Sequence, residues 1–209
     1  MTLQNRVDPW GNLQRHPSKS ATLMGNRGIL HDEDKKILKL WGHSNWVSCV
    51  TNYKNIKRAV FSTNNYSELF FLDEVTAFAA GHRPCGGCQN QRYKQFKKAW
   101  LSANHTDQLL PIKTLDKIIH SDRLNTDNKK KTFQSKISDL PIGTMFEYEG
   151  KAIAIFKGNH YLVWSFDGYK NMIQLSPDLL VKVLTPYSFV QAFHHGFIAE
   201  FHYSATNTL

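Results

Sequence analysis

The chain has 209 residues, 41% of them hydrophobic and 12% aromatic, which is enough apolar side chain for a sizeable core and too much for a disordered segment. Its net charge of +9 is unevenly placed: residues 1–104 hold 15 Lys+Arg against 7 Asp+Glu, while residues 105–209 hold 11 against 10, so the basic half points to a polyanionic partner, DNA before RNA. The opening MTLQNRVDPWGNLQRHPSKS lacks an apolar signal segment, no run approaches the roughly 18 apolar residues of a membrane span, and three cysteines cannot build a disulfide framework; a reducing, cytoplasmic setting without a membrane is expected.

Residues 6–23 read as a short strand, a Pro-Trp-Gly turn and a polar loop with Arg15, His16 and Lys19. Gly25 and Gly28 flank Asn26-Arg27, a hairpin signal whose backbone N–H groups, together with Arg27, could hold a phosphate. The run His31-Asp32-Glu33-Asp34 follows as an acidic turn. ILKLWGHSNWVSCVTNY and IKRAVFS then alternate apolar and polar residues as strands do, and residues 67–71 extend the set. Cys49 lies among Trp46, Val47 and Val50, where a lone cysteine is ordinarily a small buried hydrophobe.

Residues 67–101, SELFFLDEVTAFAAGHRPCGGCQNQRYKQFKKAWL, are the stretch that states a chemistry. Cys85 and Cys88 have the two-residue spacing that lets both thiolates reach one tetrahedral ion, and Gly86-Gly87 frees the backbone for the tight turn between them. Thiolates favour zinc. Asp73 is placed to cap a short helix through Ala80, Gly81 to end it, and Pro84 to keep the chain extended ahead of Cys85. A second helix is expected from about Cys88 to Ala103, with Tyr93, Phe96 and Trp100 on one face and Lys94, Lys97 and Lys98 on another. With Arg27, Arg83 and Arg92 these lysines form a candidate nucleic-acid surface. The ion needs further ligands: Cys49 is the candidate third, and His31, beside a turn that can fold back, the candidate fourth ahead of His43, His82 and His16.

On these residues the run FFLDEVTAFAAGHRPCGGC resembles the second half of Ada-like zinc-binding domains, in which an aromatic strand end, an Ala-rich helix, Gly-aromatic-Arg-Pro-Cys and Cys-x-x-Cys follow in that order. The likeness covers about twenty of the 209 residues. It implies a zinc fold with a first pair of cysteines upstream, one of which accepts a methyl group from a DNA phosphotriester. This chain has Cys49 alone in that region, and His82 where the pattern has an aromatic residue. The chain as a whole also resembles a group of bacterial proteins, a likeness that implies no activity.

Beyond the linker ANHTDQ, Pro111 opens a third helix whose Ile112, Leu115, Ile118 and Ile119 share a face and which ends near Arg123-Leu124. NTDNKKK is a polar loop. From Thr132 onward FQSKI, GTMFEYEGKAIAIFKGNHYLVWSF, MIQL and LLVKVLTP alternate as strands, with hairpin turns at Glu149-Gly150 and Gly158-Asn159, a short helix over 187–195 and a last strand FIAEFHY. Phe146, Tyr148, Phe156, Tyr161, Trp164, Phe166 and Tyr169 are candidates for a base-stacking platform or for a packed core. The expected fold is α+β: a basic zinc-stabilised αβ domain over 1–104, a helical linker over 105–131 and a β-rich small barrel or curled sheet over 132–209.

Two other chemistries share these letters. His31-Asp32-Glu33 followed by Pro84-Cys85-Gly86-Gly87-Cys88 spells the His-x-Glu and Pro-Cys-x-x-Cys of zinc deaminases, although the turn-like context of His31 opposes it. The acidic run beside His31 could also hold a hard divalent ion for phosphodiester hydrolysis. The sequence favours a nucleic-acid-binding protein with a structural zinc ion. The alternatives are a metal-dependent enzyme on nucleic acid, whether nuclease, deaminase or Ada-like methyl acceptor, and a protein-interaction module.

Overall fold

In the computed structural model, which describes residues 2–55, 59–104, 109–157 and 160–207, two six-stranded sheets and four helices make an α+β fold, and neither sheet closes into a barrel. The first sheet contains β1 (Gln4–Val7), β2 (Leu13–Arg15), β3 (Leu23–Asn26), β4 (Val47–Val50), β5 (Leu69–Phe71) and β6 (Arg83–Pro84), in the order β2-β1-β5-β3-β4-β6. Most neighbours are antiparallel, but β1 runs parallel to β5 and β4 parallel to β6. The turn expected at Asn26-Arg27 is not a hairpin. Asn26 ends β3, which pairs with β4 from Leu23↔Val50 to Asn26↔Val47, and the twenty residues between them loop outward. Of that loop the stretch ILKL contributes only an isolated bridge between His31 and Ile37, and residues 59–62 form no strand; residues 56–58 of IKRAVFS lie outside the described residues.

Three helices follow β5: α1 (Glu74–Ala79), α2 (Asn90–Ala103) and α3 (Ile112–Arg123). Asp73 caps α1 as its position predicts, its Oδ1 accepting from the Thr76 backbone N–H at 2.8 Å. On α3, Leu115 and Ile119 are buried while Ile112 and Ile118 stay partly exposed; the buried face takes in Asp116 and Arg123 instead. The helix rolls to bury charge because Asp116 has a buried partner, Arg83.

The second sheet is antiparallel throughout: β7 (Phe133–Lys136), β8 (Met145–Tyr148), β9 (Lys151–Ile155), β10 (Tyr161–Val163), β11 (Met172–Ile173) and β12 (Leu180–Val183), in the order β11-β10-β9-β8-β12-β7. Glu149 and Gly150 turn β8 into β9 with φ of 49° and 71°, the left-handed pair that a two-residue hairpin requires. The turn expected at Gly158-Asn159 lies outside the described residues. After α4 (Tyr187–His194), FIAEFHY is not a strand. Its backbone is claimed by buried carboxylates: Glu200 N–H donates to Glu74 Oε2 at 2.9 Å and His202 N–H to Asp73 Oδ2 at 3.0 Å, so no ladder partner is needed.

Those two carboxylates and a cluster of five phenylalanines tie the halves together. Phe78 of α1 lies 5.2–5.4 Å, ring centre to ring centre, from Phe96 of α2, Phe189 and Phe193 of α4, and Phe197 beyond it. Met145 and Ala154 of the second sheet and Leu184, just past β12, join the same core. Tyr169 donates from its hydroxyl to Asp73 Oδ2, and Trp164 Nε1 to Thr76 Oγ1. Of the seven aromatic residues considered as a platform, Phe146, Phe156, Tyr161 and Tyr169 are buried core, Tyr148 and Trp164 pack partly buried against it, and Phe166, also partly buried, stacks on His16 at 4.5 Å. Phe78→Ala should cost about 3–5 kcal/mol. Because its cavity opens in a core drawn from both halves, denaturation followed by far-UV and near-UV signals should remain one coincident transition; two separated transitions would show that the halves fold independently.

Candidate metal centre

Cys49 sits on β4, and the register Val47↔Arg83, Ser48↔Pro84 brings the end of β6 alongside it. The Cys85 N–H donates to Ser48 O at 2.9 Å, which fixes Cys85 next to the strand position that Cys49 occupies. The Gly86-Gly87 turn then returns the chain so that Cys88 faces the same point. Gln89 closes the arrangement from behind, its N–H bonding Cys85 O at 3.0 Å and its Nε2 bonding Ser48 O at 2.9 Å, and α2 starts at the next residue. The three sulfurs lie within 4.8 Å of one another.

A tetrahedral zinc ion with Zn–S bonds near 2.3 Å holds sulfurs about 3.8 Å apart, so the present spacing needs only a small contraction to close on the ion. The protein already directs N–H groups at the sulfurs: Gly87 N–H donates to Cys85 Sγ at 3.4 Å, the Cys88 backbone also donates to Cys85, and that of Val50 to Cys88. Such bonds stabilise thiolate and orient its lone pairs toward a ligand-bound cation. Cys85 is drawn down to about 5, chiefly because the Cys49 thiol donates to it. Cys49 is pushed far up by holding that proton and by burial, and burial raises Cys88. The cluster therefore behaves as one thiolate solvated by its neighbours. A divalent cation is the natural replacement for the remaining protons.

Among the described residues no His, Asp or Glu joins this group. His31, the expected fourth ligand, is placed elsewhere: its Nδ1 meets Ser67 Oγ at 2.6 Å and its ring stacks on Phe61 at 4.5 Å. The deaminase arrangement, with His31 and the two knuckle cysteines on one ion, is thus not assembled; the residue beside the two knuckle cysteines is Cys49. His16 stacks on Phe166, and His82 is fully buried between Trp46 and Phe71, accepting from Arg27 Nε at 3.2 Å. Asp32 caps its own turn through the Lys36 N–H, consistent with a solvated turn at the acidic run.

The expected basic surface is only partly at the surface. Arg83 is buried and grips Asp116 with both arms of its guanidinium, at 2.6 and 2.7 Å, while donating to Pro84 O. Arg27 is also buried. Arg92 is half-buried, bonded to Glu74, Gln95 and Ile198 O and lying over the Phe197 ring, and Lys97 donates to Leu110 O at 2.9 Å. Lys94 and Lys98, one turn apart on α2, are exposed. The partner of Arg83 was legible in principle: Asp116 and Arg123 recur with Leu115 and Ile119 at helical spacing, which puts two charges on the buried stripe.

With Cys85 ionised near neutral pH and Cys49 and Cys88 protonated, zinc uptake is expected to release about two protons per ion, measurable by calorimetry in buffers of different ionisation enthalpy; release of none would exclude three-thiolate ligation. Affinity should therefore rise with pH. Comparison of the chain with models of protein families, with curated proteins and with solved structures returned no match.

Proposed function

We propose that a zinc ion held by Cys49, Cys85 and Cys88 is a structural element of a nucleic-acid-binding protein, with DNA the preferred partner. The observation that carries the metal is the convergence of three sulfurs from two chain segments 36 residues apart, with backbone N–H groups already turned toward them. The ion would lock β4 to the start of α2. The helix it anchors presents Lys94 and Lys98 to solvent from the half of the chain that holds most of the net charge of +9. Arg92 and Lys97, committed to internal partners, would shape that face rather than contact phosphate.

A second reading follows from the ligand count. Catalytic zinc keeps its fourth position for water or substrate, and a three-cysteine set is compatible with that as well as with a fourth ligand from solvent. An Ada-like methyl acceptor at Cys49 belongs here. Mass spectrometry after incubation with methyl-phosphotriester DNA separates the readings, since a structural site gains no methyl group.

For the structural site, Cys85→Ala or chelation should lower the melting temperature and abolish one equivalent of bound zinc; unchanged metal content would remove the proposal. For the nucleic-acid surface, Lys94→Glu with Lys98→Glu should weaken duplex binding in gel-shift titrations and flatten the slope of log affinity against log salt by about two. Equal affinity and slope in the double variant would place binding elsewhere or nowhere.

A further inference from the structure

Away from the sulfurs, a cavity of about 420 Å³ opens where the first sheet, the end of α3 and the second sheet meet. Its walls include Arg27, Arg123 and Lys130 and three tryptophans, Trp10, Trp41 and Trp46. Arg27 and Arg123 are each only 2% exposed. Their guanidinium carbons lie 4.1 and 4.7 Å from the centre of the Trp46 ring.

None of these cations is ion-paired to a carboxylate among the described residues. Arg27 donates from Nε to His82 and from Nη1 to Gly11 O, but its Nη2 has no hydrogen-bond partner among the described residues. Arg123 donates from Nη1 to Ser44 O at 3.2 Å, and its Nε and Nη2 are likewise without a partner. Lys130 donates to Ala79 O. The carboxylates that act on them do so without bonding them: Asp8 acts on Arg27 and Lys130 while accepting from Asn12 and Gln14, and Asp116, held by Arg83, and Asp122, which accepts from the Ser188 N–H, act on Arg123.

Burial bears on all three in the same direction. It draws Arg27 and Arg123 down to about 9 and Lys130, with Arg27 and Arg123 adding repulsion, to about 7. Two guanidiniums enclosed with N–H groups that no residue among those described accepts carry a cost that a bound anion would offset. The backbone makes room for this: Gly81, at φ +82°, passes so close to Arg123 that a Cβ there would lie 3.2 Å from its Cδ.

We infer that this cavity is a binding site for a nucleoside phosphate, either free or at the end of a nucleic-acid strand. Arg27 and Arg123 line the cavity, and their unpartnered N–H groups, buried as they stand, match phosphate oxygens once the side chains turn toward a ligand, since phosphate accepts from such forks in pairs. Trp10 and Trp41, both partly exposed, offer ring faces for a base, the one aromatic group that a phosphate ester in a cell commonly carries. The volume suits a ligand of that size. This site is independent of the exposed lysines of α2.

Calorimetric titration of the zinc-loaded full chain tests it, using adenosine 5′-monophosphate, adenosine and inorganic phosphate, and a short oligonucleotide with and without a 5′-phosphate. The monophosphate should bind at least about tenfold more tightly than adenosine and than phosphate alone, since both the charged hydrogen bonds and the stacking contribute. Preference for the phosphorylated oligonucleotide over the mononucleotide assigns the site to strand ends, and equal affinity assigns it to free nucleotides. Arg123→Met, which keeps an unbranched side chain against Trp46 and Gly81 but removes the N–H groups, should weaken binding by about tenfold or more, with the melting temperature read alongside to confirm folding; Lys130→Met supplies a second variant. Adenosine binding as well as its monophosphate, or unchanged monophosphate binding in both variants, would overturn the assignment. Duplex binding through Lys94 and Lys98 is read separately by gel shift, so failure of either result leaves the other intact.

Discussion

The parallel pairing of β4 with the two residues of β6 is the constraint on which both sites depend. Ser48 opposite Pro84 puts Cys49 beside Cys85 at one end of the pair, where the knuckle completes the sulfur cluster. At the other end, the Arg83 N–H donates to Trp46 O at 3.3 Å, which sets Trp46 against the His82 ring and in reach of Arg27 and Arg123. A slip of one residue would turn the side chains of β6 to the opposite faces and dismantle both arrangements. So short a strand has few hydrogen bonds with which to resist slippage. Arg83 itself supplies the restraint, through its two bonds to Asp116 on α3.

Buried charge is used in two ways in this fold. Arg83 with Asp116, and Glu74 with Arg92, are complete pairs whose further bonds go to backbone and, from Arg92, to the Gln95 side chain; they join α3 and α2 to the knuckle and to the segment after α4. Such pairs gain specificity of position more than net stability. Arg27 and Arg123 are enclosed with N–H groups left over. Arg83 and Glu74 thus have their charge answered by a bonded partner, whereas these two guanidiniums keep N–H groups that only a further acceptor would satisfy. No helix among the described residues is long and apolar enough to cross a membrane.

The elements that could be read from residues are those governed by local rules. Asp73 three residues ahead of Thr76, the Cys85-Gly86-Gly87-Cys88 knuckle, α2, the Glu149-Gly150 turn and the alternation of the second sheet each depend on neighbours within a few positions. Readings that failed did so where a distant group outbid the local pattern. FIAEFHY has a strand's alternation, but Asp73 and Glu74, more than 120 residues upstream, take its N–H groups. Asn26-Arg27 looks like a tight turn, but β3 finds its partner beyond a long loop.

The site divides along the same line. The sequence by itself determined that two thiolates could share an ion, that the front half is basic, and that the fold mixes helices with antiparallel strands, because spacing, charge count and periodicity are properties of the chain alone. Only the tertiary structure decided that Cys49 and no histidine among the described residues completes the sulfur group, and that Arg27 and Arg83 point inward while Lys94 and Lys98 point out. A cation carries no mark in the sequence that says whether water, a carboxylate or a cavity will surround it; that is settled by which strands pair and which helix face they cover.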